Sequence, residues 1–145
     1  MGRLVGLDVG DARIGVAVAD ELGIGAQGLG VVRRSNLVDD LKRLAEFLAD
    51  YPPARFVVGL PLNMNGSVGP QAQKVHAFAR ALERHFRVPV DTWDERLTTF
   101  EAHQTLAEMG VSGRKRRGLV DKVAAAVILQ GYMDHQATRR RSESG

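Results

Sequence analysis

The stretch LVGLDVGDARIG, residues 4–15, combines an apolar run, a carboxylate and a glycine turn. The run ends at Asp8, turns at Gly10 and continues from Ile14 as IGVAVA, which predicts two consecutive strands with one acid at the end of the first. In that position Asp8 is a metal ligand, a neighbour of a phosphate, or only the residue that caps the turn. The stretch by itself leaves these alternatives open.

Length and composition limit the kind of protein that surrounds this stretch. The 145 residues predict one domain with its own hydrophobic core. The absence of cysteine excludes thiolate nucleophiles, disulfides and cysteine-based zinc sites. Neither a secretion signal nor an apolar stretch of membrane-spanning length is present in the sequence, so we expect a cytoplasmic protein.

The basic residues are distributed unevenly. The net charge is +3, and seven of the 20 Lys and Arg residues form two clusters, which are Arg114, Lys115, Arg116 and Arg117, and Arg139, Arg140 and Arg141. Without them, 13 basic residues face 17 acidic ones. Local basic clusters attract polyanions through counterion release, so a nucleic-acid partner is expected. The alternative is a solvated loop followed by a disordered tail.

Periodicity predicts the order β-β-β-α-β-α-β-α-α. The predicted strands are residues 4–8, 13–19, 24–33, 55–60 and 90–95, and the predicted helices are residues 37–48, 70–86, 98–110 and 119–135. Residues 110–118 are expected to form a mobile loop, because two glycines bracket the first basic cluster. The order indicates a three-stranded meander and two crossover units, hence an α/β fold with a mixed five-stranded sheet and helices on its faces. Residues 1–136 form the expected domain, and residues 137–145 a disordered basic tail.

Three acids, Asp8, Glu95 and Asp121, stand where a site of this fold would form. Asp8 ends the first strand, and Asp94 and Glu95 end the fifth. Neighbouring side chains on a strand face opposite ways, so we choose Glu95, which reaches further, and expect Asp94 to hold backbone or a nearby arginine. Asp121 lies in the apolar helix VDKVAAAVILQ, where a carboxylate needs a partner; the alternative is a favourable interaction with the helix dipole.

Oxygen ligands of this kind suit hard divalent cations, so Mg²⁺ or Mn²⁺ is the expected cofactor. Two such ions can activate water on one side of a phosphodiester and stabilise the leaving oxygen on the other. The four histidines fall in predicted helices without pairing at i and i+4, which argues against zinc. No nucleophile elbow surrounds Ser67, which argues against a hydrolytic triad.

Four blocks of the sequence resemble those of one known family. LVGLDVGDARIGVAVAD, VVGLPLNMNGSVGPQA, DERLTTFEA and VDKVAAAVILQ are similar, in this order, to the signature blocks of the YqgF or RuvX family of pre-16S rRNA nucleases and Holliday junction resolvases. The resemblance implies an RNase H-like fold with Asp8, Glu95 and Asp121 as metal-binding catalytic acids. It also implies that the loop at residues 62–67 lines the site together with Arg96, Thr99 and Lys122; Asn63 and Ser67 are the loop residues expected to contact nucleic acid.

The expected function is a metal-dependent endonuclease in which Asp8 bridges two ions while Glu95 and Asp121 each complete one coordination sphere. Arg96, Lys122 and the cluster at residues 114–117 would hold the nucleic-acid backbone without reading its sequence. Maturation of the 5′ end of pre-16S rRNA is the favoured role. The alternative is resolution of four-way DNA junctions, which requires a two-fold dimer; the sequence leaves monomer and homodimer open.

Two expectations from other classes of protein stay open at this stage. DVGDARIG also resembles the phosphate loop of actin and the heat-shock ATPases, which would indicate nucleotide binding. Those proteins close two such domains around ATP, whereas this chain has room for one. A non-catalytic nucleic-acid adaptor, in which the acids only support the fold, would show salt-dependent binding without cleavage.

Overall fold

The structure is a computed structural model that describes residues 2–97 and 113–144. Its elements, in chain order, are β1 (Arg3–Val9), β2 (Arg13–Ala19), β3 (Ala26–Arg33), α1 (Leu37–Phe47), β4 (Pro53–Leu60), α2 (Pro70–Phe86), β5 (Val90–Asp94), a short 3₁₀ turn (Glu95–Leu97) and α3 (Gly113–Ser144). The helix predicted at residues 98–110 lies outside the described residues.

The five strands form one mixed sheet in the order β3-β2-β1-β4-β5. β1 pairs antiparallel with β2, with Asp8 opposite Gly15, and β2 pairs antiparallel with β3. β1, β4 and β5 run parallel to one another. The carboxyl ends of β1, β4 and β5 therefore meet at one edge of the sheet, and Asp8 and Glu95 belong to that edge.

Each face of the sheet carries its own apolar core. On one face, Leu7, Ile14 and Phe56 pack with the buried sides of α1 and α2. On the other face, α3 lies across β1, β2 and β3, and its Ile128 and Leu129 pack on small strand residues. Because side chains alternate along a strand, Gly6 and Asp8 of β1 both face α3.

The predicted α/β fold with a mixed five-stranded sheet is confirmed. The predicted start of α1 is confirmed as well, since the Asn36 side chain accepts a hydrogen bond from the Asp39 backbone N–H. No helix within residues 2–97 and 113–144 has the length and apolar character needed to span a membrane.

The last helix differs from the prediction at both ends. Residues 113–118 are helical, although we expected a loop there, and the helix continues to Ser144 through residues predicted to be disordered. Two glycines cost a helix about 1 kcal/mol each. The Arg and Lys residues between them are good helix formers, and a helix that is already nucleated extends readily. Composition alone therefore underestimated the length of α3.

Candidate metal and nucleic-acid site

Asp8 and Glu95 are brought together at the carboxyl edge of the parallel strands. Asp8 extends from β1, and Glu95 follows β5 on the far side of β4. Gly59 of β4 adds no side chain to the gap between them: a Cβ atom there would lie 2.5 Å from Ile128 Cδ1 and 3.5 Å from the Glu95 carboxyl carbon, so Ile128 packs against this position. The two acids share a side-chain hydrogen bond across this gap. A hydrogen bond between two carboxyl groups requires a proton on one of them.

The environment of Asp8 strongly disfavours its charge. The pKa of Asp8 is raised from the ordinary value of 3.8 to about 9, first by burial and then by the hydrogen bond to Glu95 and the charges of Glu95 and Asp121. At neutral pH the acid pair therefore holds a proton. A divalent cation that replaced this proton would remove the repulsion, which is the usual solution for clustered carboxylates.

Asp121 reaches the same region from α3 because β2 carries no side chain where the helix crosses it. A Cβ atom at Gly15 would lie 1.9 Å from the Asp121 carbonyl oxygen. Gly15 is the cross-strand partner of Asp8, so the close crossing sets Asp121 beside Asp8. The Asp121 carboxylate accepts a 2.6 Å hydrogen bond from Arg13 Nε. This acid is therefore partnered, as its apolar helix requires.

The donor set fits a hard divalent cation. It consists of carboxylates, two of them in contact and the third close enough to raise the pKa of Asp8. Within residues 2–97 and 113–144, no three acids or histidines already stand together in a metal-binding arrangement. Asp121 is directed to Arg13, so the cluster is close but not assembled.

Asp94 takes the structural role predicted for it. Its carboxylate binds Arg96, with the shortest contact 2.6 Å to Nη2, and accepts the Arg96 backbone N–H at 3.0 Å. The hydrogen bond from the Arg96 side chain holds the pKa of Asp94 below its ordinary value. Asp94 and Glu95 thus have different partners. The fifth strand was predicted to include Glu95, but β5 ends at Asp94 and Glu95 begins the 3₁₀ turn, so strand alternation does not set the orientation of Glu95.

Arg96 also fixes the loop at residues 62–67. Its Nη1 donates to the carbonyl of Met64 at 3.0 Å. Within the loop, the Asn63 side chain donates to Ser67 Oγ at 2.9 Å, and Ser67 binds Asn65. Asn63, Ser67 and Arg96 are therefore joined in one exposed arrangement next to Glu95, and their contact with nucleic acid stays a prediction.

The remaining predicted contact residues are less close to the acids or lie outside the described part. The Lys122 side chain packs over Gly28 of β3, and β2 separates β3 from Asp8. Thr99 is not among the described residues. Arg114, Lys115, Arg116 and Arg117 belong to the first turns of α3, and only their helical backbone is described.

Arg13 is the site residue that sequence reasoning missed. It follows the glycine turn directly and begins β2. Small residues at every second position of this strand, Gly15, Ala17 and Ala19, are the available signal, because they indicate a face covered at close range. The partner of Arg13 lies 108 residues away, which no local pattern indicates.

The sequence of the whole domain matches one known family. The family described as RuvX, Holliday junction resolvase, covers residues 2–135. This chain belongs to the RuvX family. The RuvX-family chain is 53% identical over 137 residues to a protein from Symbiobacterium thermophilum, with 94% of this chain and 95% of that one covered. It is 54% identical over 132 residues to a protein from Moorella thermoacetica, with 91% and 94% covered. Both relatives carry the name "Putative pre-16S rRNA nuclease".

Solved structures extend the similarity of fold beyond the RuvX family. Thermus thermophilus RuvC, solved in complex with a Holliday junction substrate, superposes with a TM-score of 0.53 at 18% identity and covers 92% of this chain and 96% of its own. The fowlpox virus resolvase, solved with junction DNA, gives a TM-score of 0.54 at 10% identity, with 92% and 98% covered. At these identities the likeness shows the fold alone, and it confirms the RNase H-like architecture.

Proposed function

We propose that this RuvX-family chain is a divalent-metal-dependent endonuclease whose catalytic acids are Asp8, Glu95 and Asp121. The observation that supports this most strongly is the contact of Asp8 with Glu95 at the open edge of the sheet, with Asp121 beside them. A purely structural role would not favour placing Asp8 against Glu95 and near Asp121, where burial and repulsion raise its pKa to about 9. A cation site accounts for the arrangement.

The chemistry follows from the positions of the three acids. Mg²⁺ or Mn²⁺, when bound, supplies activation of water and stabilisation of the leaving oxygen in phosphodiester hydrolysis. Asp8, which interacts with both other acids, would help to hold both ions, and Glu95 and Asp121 would each help to hold one. The apolar packing of Ile128 under this edge keeps the acids in a fixed and partly dry environment, which strengthens their interactions with a cation.

The nucleic-acid backbone would follow the loop beside Glu95. Arg96 is exposed and holds this loop through Met64, and Asn63 and Ser67 add polar groups that can meet phosphate oxygens. The basic cluster at residues 114–117 precedes Asp121 by one to two helical turns. Such contacts position a substrate without reading its sequence.

Structured RNA is the proposed substrate, as the names of relatives at about half identity favour it. Cleavage at the 5′ end of pre-16S rRNA needs one cut and one site. The second candidate is a four-way DNA junction, favoured by the description of the family. A resolvase makes two symmetric cuts, so this candidate requires a homodimer.

The test of catalysis is cleavage of a labelled 16S precursor by purified protein in Mg²⁺, in Mn²⁺ and in EDTA. We expect metal-dependent cleavage that falls by about 100-fold or more in Asp8→Asn and in Glu95→Gln. Asp91→Asn is the matched control, because Asp91 is a partly exposed, ion-paired aspartate at the opposite end of β5. Full activity of Asp8→Asn would refute the proposal.

The same assay separates the two substrates when labelled four-way DNA is added in parallel. Preference for the precursor by a protein that sediments as a monomer supports RNA processing. Paired symmetric cuts in the junction, made by a dimer, would instead assign the resolvase role.

A further inference from the structure

Arg13 forms a short ion pair with one of the proposed catalytic acids. Its Nε lies 2.6 Å from Asp121 Oδ2, with 38% of the Arg13 side chain and 21% of the Asp121 side chain exposed. The contact is close enough to neutralise Asp121 and open enough for the guanidinium to exchange one partner for another. Arginine is also the side chain whose planar donors match both carboxylate and phosphate.

The register of the sheet sets Arg13 at the open edge of the site. Arg13 lies two residues before Gly15 on β2, so both face α3. Gly15 is the partner of Asp8. β2 begins where β1 ends, so Arg13 stands on the same face as Asp8 and one step further towards solvent.

The positive charge of Arg13 lies next to a carboxylate that is proposed to bind a metal cation. In the structure the acid pair of Asp8 and Glu95 shares a hydrogen bond, and Asp121 is directed to Arg13 rather than to that pair. A divalent cation bound by all three acids would meet the positive guanidinium at the Asp121 carboxylate. Arg13 occupies Oδ2 of Asp121, so a divalent cation bound by the same carboxylate would be repelled by the guanidinium at short range and would bind more weakly.

We propose that Arg13 is a positioning residue of the nuclease site: it holds Asp121 before the metal binds, yields that carboxylate to the metal, and then faces the phosphate of the nucleic acid. The inference rests on the proposed function, because it needs Asp121 to be a ligand. It predicts opposite effects of Arg13 on two measurable steps. Without nucleic acid, Arg13 competes with the metal for Asp121 and weakens metal binding. With nucleic acid, it contacts a phosphate and strengthens substrate binding.

The first measurement is the affinity for Mn²⁺ without nucleic acid. The signal of free Mn²⁺ in electron paramagnetic resonance reports how much of the ion is bound. Arg13→Met removes the competing charge and should bind Mn²⁺ about two- to fivefold more tightly than the wild type, the range expected for one partly exposed ion pair. Arg13→Gln keeps a hydrogen-bond donor for Asp121 but has no charge, so it should also bind Mn²⁺ more tightly than the wild type. Arg13→Lys should stay near the wild-type affinity.

The second measurement is steady-state cleavage with the same proteins. Arg13→Met and Arg13→Gln should raise KM for nucleic acid several-fold, with a smaller change in kcat, and Arg13→Lys should restore most of the loss. A residue that only supported the fold would weaken both metal binding and cleavage. The matched control is Arg55→Met, since Arg55 is also 38% exposed and paired with a carboxylate, Asp91, at the opposite edge.

The outcomes separate this inference from the proposed function. If the wild type binds Mn²⁺ and cleaves, while Arg13→Met and Arg13→Gln bind Mn²⁺ no more tightly, the role of Arg13 is refuted and the nuclease assignment stands. If the wild type neither binds Mn²⁺ nor cleaves, the nuclease assignment itself fails. Tighter Mn²⁺ binding together with a raised KM supports both.

Discussion

At the scale of single residues, the fold disfavours the charged form of Asp8. Its folded-state pKa of about 9 lies above the ordinary 3.8, so the folded protein prefers the protonated carboxyl. The stability contributed by this proton is fully present below the unfolded pKa and is lost as pH rises through about 9. The metal-free protein should therefore lose stability over this range of pH, and bound metal should restore it.

Asp8→Asn should make the metal-free protein more stable at high pH. The amide is neutral at every pH and can still donate a hydrogen bond to Glu95. In EDTA we expect Asp8→Asn to exceed the wild type in Tm by about 4 °C or more at pH 9, the shift produced by about 1 kcal/mol in a domain of this size. The difference should shrink towards pH 4. Thermal unfolding of both proteins across this range measures it, and equal Tm values throughout would contradict the assigned environment of Asp8.

The sequence predicted that Asp94 would hold backbone or a nearby arginine, although strand alternation does not apply to Glu95, which lies beyond the end of β5. The ion pair of Asp94 with Arg96 confirms this part. The ion pair of Arg13 with Asp121 could not be predicted, since it depends on how closely α3 crosses β2. Metal binding by Asp8, Glu95 and Asp121 stays a prediction.

At the scale of elements, the position of α3 is set by glycines in the strands beneath it. A Cβ atom at Gly6 would meet Leu129 Cβ at 2.7 Å, and one at Gly15 would meet the Asp121 carbonyl oxygen at 1.9 Å. The second contact is with backbone, which cannot rotate away. The absence of a side chain at Gly15 is therefore what allows Asp121 to approach Asp8.

Gly15→Ala should separate the helix from the sheet at the site. The helix backbone has to move by about 1 Å or more to relieve the contact, and a displacement of that size can cost about 100-fold in rate. We also expect a loss of about 1–3 kcal/mol in the free energy of unfolding from overpacking. Cleavage and denaturant unfolding test both effects. Gly25→Ala is the control, because its Cβ would lie 3.4 Å from Asp20 Oδ2, and wild-type activity of Gly15→Ala would contradict this account of α3.

The order and type of the described elements could be predicted from sequence, because apolar periodicity and capping residues are local signals. The ends of α3 could not. Its start depends on a balance between two glycines and a run of helix formers, and its last turns have no apolar pattern to reveal them. The closeness of α3 to β2 is visible in the sequence only as small residues at alternate positions.

At the scale of the whole molecule, the charge layout complements the position of the acids. The basic cluster at residues 114–117 precedes Asp121 on the same helix. At the rise per residue of an α-helix, its backbone lies about 6–10 Å from Asp121 along the helix axis. A body with more acids than bases would otherwise repel a polyanion. The basic start of α3 can guide the nucleic-acid backbone towards the acidic edge.

Replacing residues 114–117 by glutamine should weaken nucleic-acid binding about evenly across sequences. The slope of log affinity against log salt should fall by about 1 for each lost phosphate contact, while kcat at saturating substrate stays close to wild type. The control replaces the three arginines at residues 139–141 by glutamine, because that basic cluster lies further from Asp121 in the helix. Filter binding at several salt concentrations measures the slope, and an unchanged slope would show that the cluster does not contact phosphate.

The central claim is that Asp8, Glu95 and Asp121 form one metal centre. Anomalous scattering from crystals of the wild type soaked in Mn²⁺ tests this most directly, because it locates the ion without relying on activity. The account predicts Mn²⁺ peaks within coordination distance of oxygens from all three side chains, and none in crystals of Asp8→Asn. Mn²⁺ bound elsewhere, or none at a concentration that supports cleavage, would contradict it.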